Sequence, residues 1–364
     1  MLYSFLLLVT SNTSAKCLED MLRWCLTVFG LVEGFYLLLR DKSIFYVKGV
    51  SHPPNKVVAF PKYVPRGDGD RIHPSGLRYA KISGVDNEMM YLLNSYPHYI
   101  AHDSFFCRPV PTVPLSDIET VLNPLEKAEE ILSSRTVEDD VIRSVREFIL
   151  LANEVGGVRN VGVSGSILAN LHTRNSDIDI VVYGWRDSIK MYRFLRDAVG
   201  DKSLGFARYS GDALQELYRE RVSETPIPFE KFAEIESQRV LDGLFRGRRY
   251  FVRLVKEPGI DDTYGSYTCA KIGVATLKLR VEDDSDSIYT PCRYMVEVEE
   301  FIDGVRAYVE EVYSLRGRFN EIAKKGDTVV ARGSVELLRY RDGSTKYRLY
   351  VGDTGDFIYP IKTL

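Results

Sequence analysis

At 364 residues the chain is long for a single hydrophobic core, so two or three units are expected. Its 45% hydrophobic and 27% charged residues are those of an ordinary soluble globular protein. A formal net charge of −3 excludes a globally basic nucleic-acid binder, so any basic surface must be local.

The opening MLYSFLLLVT is apolar but lacks both the basic lead-in and the small-x-small cleavage site of a leader. MLRWCLTVFGLVEGFYLLL (21–39) raises a membrane question. Arg23, Glu33 and the breaks at Gly30 and Gly34 argue against a span, so residues 1–40 are expected as packed helices or an over-extended start. From residue 40 the pattern turns β-like. SIFYVKGV and KVVAFPKYV alternate around His52-Pro53-Pro54-Asn55, and GLRYAKI follows. A short helix over Asn87–Ser95 closes this small α+β unit, and CRPVPTVPLSD (107–117) reads as a semi-rigid connection.

A helix is predicted within TVEDDVIRSVREFILLANEVGG (136–157), opened by Thr136 with Asp139 at the capping-box position. It leads into VSGSILANLHTRNSDIDIVVY (163–183). Val161–Val163 reads as a strand end, Ser164-Gly165-Ser166 as a tight turn, and Ile167–His172 as a helix start. Gly165 lets backbone N–H groups approach a phosphate, and the Ser166 hydroxyl adds a donor. Ten residues separate Ser166 from Asp177, and Asp179 follows on the same face of the next strand, because side chains alternate with period 2. Two carboxylates on one face can hold Mg²⁺, which takes substrate phosphates as further ligands. Ser176, directly before the acids, joins the nucleotide-binding candidates.

Helices are predicted at SIKMYRFLRDAVG (188–200), GDALQELYRERV (211–222) and FEKFAEIESQRVLDGLF (229–245), then a strand at RRYFVRLVK (248–256). From about residue 265 short strands dominate: KIGVATLKLRV, YTPCRYMVEVEE, YVEEVYSLRG, DTVVARGSVELLRY and KYRLYVG. With one helical turn at Phe319–Lys324, they suggest a small OB-like barrel. Here Arg316, Arg318, Phe319, Arg339, Tyr340, Arg341, Lys346, Tyr347, Arg348 and Tyr350 interleave cations with aromatics. Such a face stacks bases and follows a backbone, though a half-exposed strand looks the same. The run Glu282–Asp286 lacks the glycine and distal glutamate of an EF-hand and reads as a solvated turn. Five scattered cysteines argue against disulfides and structural zinc and for a reducing, cytoplasmic setting.

The Gly-Ser turn followed by Asp-x-Asp resembles the DNA polymerase beta-like nucleotidyltransferase superfamily, most strongly over residues 158–184. HPPNKVVAFPKYVP, DDSDSIYTPCRY and SLRGRFNEIAKKGD extend the resemblance to an archaeal type of nucleotidyltransferase-domain protein. The resemblance implies a mixed sheet backed by helices over 121–262; with the N-terminal unit over 1–120 and the barrel over 263–364 read from the strand pattern, the expected fold class is α+β. It also implies phosphate held at Gly165 and Ser166, and Mg²⁺ (or Mn²⁺) held at Asp177 and Asp179.

Two departures stand out. A second glycine usual four residues after the serine is here Asn170. The third carboxylate expected from RRYFVRLV is replaced by Arg253, which can contact a phosphate or pair with an acid of the motif. Glu257, Asp261 and Asp262 lie just past that strand. His172, Arg174 and Asn175 occupy the loop before the acids, and Lys190 and Arg193 fall on a helix face. The expected activity is transfer of a nucleoside monophosphate from a nucleoside triphosphate to an acceptor hydroxyl on RNA or DNA, without a membrane partner. The rivals are a catalytically weakened binder that keeps the fold, and transfer to a protein or small molecule.

Overall fold

A computed structural model describes residues 30–135, 139–257, 259 and 263–361. The first unit holds β1 (Tyr36–Leu39), β2 (Ile44–Val47), β3 (Lys56–Pro65), β4 (Arg71–Ile72), β5 (Arg78–Lys81), α1 (Val85–Ser95), β6 (Ile100–His102), β7 (Pro109–Pro114) and β8 (Ile118–Leu122). Its strands run in the order β4-β5-β3-β2-β1-β8, and β7 pairs with both β3 and β6. Leu37, Phe45, Val57 and Leu92 bury one face of this sheet against α1.

The second unit contains α2 (Pro124–Ser133), α3 (Asp140–Glu154), β9 (Val161–Val163), α4 (Gly165–Leu168), β10 (Ile178–Tyr183), α5 (Trp185–Gly200), β11 (Phe206–Ala207), α6 (Gly211–Arg221), α7 (Phe229–Glu236), β12 (Asp242–Phe245) and β13 (Arg248–Val255). Its sheet runs β11-β12-β13-β10-β9, with β10 and β13 parallel and the other pairs antiparallel. The apolar faces of α3 (Val145, Phe148, Ile149) and α5 (Met191, Phe194, Leu195) close one side of it.

The third unit comprises β14 (Tyr267–Asp283), β15 (Cys292–Gly304), β16 (Glu311–Ser314), β17 (Thr328–Tyr340), β18 (Thr345–Tyr350) and β19 (Phe357–Ile361). Pairings run β14-β15-β16-β18-β17-β19, and β14 also pairs with β17. β16 and β18 are parallel.

Several expectations change. In the apolar segment 21–39, Tyr36–Leu39 is a strand, and residues 1–29 lie outside the described residues. The Pro-rich stretch is not a connection: Thr112–Pro114 pairs with β3 while Pro109–Pro111 pairs with the short β6. Proline is tolerated at such sheet margins because the missing N–H is not needed there. The helix predicted over 229–245 ends at Glu236. Glu321 accepts hydrogen bonds from the backbone N–H groups of Val240 (3.1 Å) and Leu241 (2.9 Å), and the chain continues as β12. The late helical turn falls at Gly317–Phe319 rather than Phe319–Lys324. Asp139 is the N-cap of α3 itself, accepting from Val141 and Ile142 N–H, and Thr136 lies outside the described residues.

Cysteine spacing misleads most. Cys107 and Cys269, 162 residues apart, form a disulfide that ties the first unit to the third. Phe105 stacks on Tyr267 beside it at 4.5 Å. Among the described residues no helix is long and apolar enough to cross a membrane.

Candidate active site

The alternation in β10 decides what reaches the site. Ile178, Ile180 and Val182 are fully buried against the helices, so Asp177, Asp179 and Val181 take the opposite face. That face meets the first unit, where Val181 packs with Val32 and Val255. Asp179 opens into a cleft of about 960 Å³ to which all three units contribute. Glu33, Lys48 and Phe60 come from the first unit, Ser164 and Arg253 from the second, and Arg293, Arg316, Arg318 and Arg348 from the third.

Gly165 is in direct contact with the acid edge. It has φ +66°, and a Cβ there would fall 2.0 Å from Asp179 Oδ2. The N–H of Ser164 donates to the Asp179 carbonyl at 2.9 Å, locking turn to strand. Four residues past Ser166, Asn170 takes the left-handed φ of +54° that a glycine would adopt readily, and its Oδ1 accepts from Lys127 Nζ at 2.8 Å.

Ser166 and Ser176 brace the scaffold on either side of the acids, and neither lines the cleft. The Ser166 hydroxyl hydrogen-bonds that of Tyr63. Ser176 Oγ accepts from Thr173 N–H at 2.9 Å, and its carbonyl accepts from Arg248 Nη1, also at 2.9 Å. In the same loop His172 lies 3.4 Å from Asp139, and the Arg174 carbonyl accepts from Arg248. Lys190 pairs with Asp187 one turn before it on α5.

The strand beside the acids brings no third carboxylate. Asp179 lies opposite Phe251 and Val181 opposite Arg253, so β13 presents Arg249, Phe251 and Arg253 on the shared face. Arg253 Nη1 is 3.6 Å from Asp179 Oδ1, and its Nε is 3.4 Å from Glu33 Oε1. Burial alone would lower the Arg253 pKa, but the charges of Asp179 and Glu33 outweigh it and raise it. Glu257 instead accepts from Trp185 N–H at the start of α5, and Asp261 and Asp262 lie outside the described residues. Asp177, one residue before β10, does not line the cleft, and among the described residues no group of three or more His, Cys, Asp or Glu at metal-ligating spacing includes Asp177 or Asp179.

Asp177 is exposed as a whole residue, yet the protein packed around its carboxyl, and then the charge of Asp179, push its pKa up to about 6. Two carboxylates so close in sequence offer the oxygen donors that a hard divalent cation takes, so the chemistry of the donor set fits Mg²⁺ or Mn²⁺.

The same shift has a consequence for stability. The folded chain releases the Asp177 proton at about pH 6, whereas an unfolded aspartate loses it near ~4. Folded-state stability from this group is therefore lost as pH rises from 4 through 6. Asp177→Asn is expected to raise Tm at pH 7.5 and to leave it unchanged at pH 4; an equal gain at both values in thermal melts would contradict the assignment.

The barrel candidates divide. Arg316 and Arg318 line the cleft and share one carboxylate, Glu224, at 2.5 and 3.0 Å. Burial, then the charges of Arg316 and Arg221, push Arg318 down to about 9. It stays charged at neutral pH, and an added anion would relieve the crowding. Arg348 also reaches the cleft, bound to Glu336 at 2.6 Å and lying over Tyr313. Tyr347 packs against the core of the third unit and does not line the cleft.

Glu33 and Lys48 escaped the sequence reading as site residues. A lone acid in the otherwise apolar LVEGFYLLL was the available signal, since a buried carboxylate demands a partner.

Residues 142–232 match the nucleotidyltransferase domain family, a quarter of the chain that holds Gly165, Ser166, Ser176, Asp177 and Asp179 and stops before Arg253. The resemblance drawn from the Gly-Ser turn and the Asp-x-Asp strand is thus borne out. Uncharacterized protein MJ1086 of Methanocaldococcus jannaschii is 26% identical over 331 residues, spanning 88% of this chain and 93% of that protein. The similarity therefore extends well beyond the nucleotidyltransferase segment. No solved structure matches.

Proposed function

We propose that the protein transfers a nucleoside monophosphate from a nucleoside triphosphate to a hydroxyl of RNA or DNA, at the edge formed by Asp177 and Asp179. The observation that carries this reading is Asp179 opening, beside Gly165, into a cleft rich in arginine and lysine. When bound, Mg²⁺ or Mn²⁺ neutralises phosphate charge and lowers the barrier to attack at the α-phosphorus. In the transfer, a bond forms between the acceptor oxygen and the α-phosphorus. The bond from that phosphorus to the pyrophosphate oxygen breaks, and the hydroxyl proton passes to solvent.

The chain's own part is to position. Gly165 leaves room for the phosphates beside Asp179, Ser166 and Ser176 hold the turn and loop that aim the acids, and Arg253 supplies a charge for the phosphates. Arg316, Arg318 and Arg348 would follow the acceptor backbone, with Tyr347 on the strand that carries Arg348.

The barrel reading supports a nucleic-acid acceptor. The pairings β14-β15-β16-β18-β17 return to β14, with β16 and β18 parallel. We read this ring as an OB-like barrel, a fold whose open face takes single strands. On this division the units are 1–120, 121–262 and 263–364, the first handing over near β8.

The test is incubation with each α-labelled nucleoside triphosphate, Mg²⁺ or Mn²⁺, and RNA or DNA oligonucleotides. Label on the oligonucleotide with release of pyrophosphate is expected; label on protein or small molecules instead would move the acceptor. A second reading rests on Arg253. Its contact with Asp179 sets a monovalent cation where a divalent one is needed, which favours a nucleotide binder with weakened turnover. Triphosphate binding without transfer to any acceptor would decide for it.

A further inference from the structure

We propose that Arg253 is a movable counter-ion of the acid edge and that Glu33, supplied by the first unit, is the positioning residue that receives it when a divalent cation takes Asp179. This rests on the reading of Asp177 and Asp179 as a cation site.

The guanidinium lies between two carboxylates and is bound tightly to neither. Its contacts of 3.4 Å to Glu33 and 3.6 Å to Asp179 exceed the 2.6 Å of Arg348 on Glu336 and the 2.9 Å of Arg239 on Glu236. A charge-assisted bond at full strength closes to about 2.7–2.9 Å. The Arg253 side chain keeps 27% of its surface exposed to the cleft and lies over the Phe251 ring, 4.8 Å from its centroid. That face attracts the cation without a directional hydrogen bond, so the guanidinium can slide over it between the acids while keeping the contact.

Glu33, by contrast, is fixed. Its Oε2 accepts from Gly49 N–H at 2.8 Å and its Oε1 from Lys48 Nζ at 3.1 Å, and its side chain is 2% exposed. Its backbone carbonyl accepts from the Tyr183 hydroxyl at 3.1 Å, at the end of β10. The next carbonyl, Gly34, accepts from Ser164 Oγ at 2.8 Å. Gly34 has φ +100°, and a Cβ there would press on the Tyr183 hydroxyl at 3.0 Å. The loop carrying Glu33 is therefore anchored on the two strands that build the acid edge. One acid is immobile with a lysine at its back, and the other sits where the cation binds. The guanidinium between them is the part free to move.

Removing the two partners should then act in opposite directions. Arg253→Gln leaves Asp179 without a competitor and is expected to tighten Mn²⁺ binding by about tenfold, while Glu33→Gln confines the guanidinium to Asp179 and weakens it by about as much. The double variant should bind like Arg253→Gln alone. The measurement is calorimetric titration of the full chain with Mn²⁺ and no nucleotide, with Tm recorded for each protein. Should Glu33→Gln fail to fold, Arg253→Gln still carries the test. Mn²⁺ bound by the wild type with equal affinity in Arg253→Gln, or more weakly in it, overturns this inference alone. No Mn²⁺ bound by the wild type or any variant overturns the cation-site reading and this inference with it.

Discussion

Asp179→Asn is expected to lower kcat/KM for nucleotide transfer by at least about 10²–10³-fold while the protein still folds. The substitution keeps shape and removes one charge. The fold tolerates that because Asp179 makes no tight ion pair: Arg253 stands 3.6 Å away and retains Glu33. The backbone role is untouched, since Ser164 N–H bonds to the carbonyl of residue 179 and not to its side chain. Activity should therefore fall without a matching fall in Tm. Tm and transfer measured on one preparation check this, and a variant with wild-type transfer would place the chemistry elsewhere in the cleft.

Gly165→Ala is expected to damage both. The left-handed φ of +66° and a new methyl group 2.0 Å from Asp179 Oδ2 together cost about 2–4 kcal/mol. Asp179 can give way only by turning its carboxylate out of its place in the cleft, so transfer should be lost even at temperatures where the variant is folded. Gly211→Ala is the control. Its φ is +53°, yet a Cβ there meets nothing within 4 Å, so only backbone strain remains. Chemical denaturation should show the smaller loss for Gly211→Ala, with transfer retained. Equal effects of the two variants on transfer would remove the argument that Gly165 acts through Asp179.

What could be read ahead of the structure is what local pattern encodes. The alternation Asp177-Ile178-Asp179-Ile180 sorts acids from core residues because strand geometry leaves no other option, and Gly165 takes a conformation side chains avoid, though it opens the short α4, Gly165–Leu168, rather than preceding a helix from Ile167. What escaped depends on distant partners. Glu33 meets Arg253 across more than half the chain, and Cys107 finds Cys269 over 162 residues. The helix expected through 245 ends at Glu236, and a carboxylate some eighty positions later takes the N–H groups of Val240 and Leu241 that a continued helix would have used. The Pro-rich stretch becomes β7 only because β3 and β6 lie beside it. Helix propensity and proline content carry none of that information. Arg253 stands out in sequence as a cation where the resemblance calls for an acid, but its place between two carboxylates depends on Glu33 of the first unit.

The most direct measurement is a crystal of the wild-type chain grown with Mn²⁺ and a non-hydrolysable nucleoside triphosphate, with anomalous scattering recorded at the manganese edge. A peak within coordination distance of both Asp177 and Asp179, with the triphosphate running from it past Gly165 into the cleft, is the expected result. Manganese bound elsewhere, or a nucleotide seated away from Asp179, would contradict the assignment.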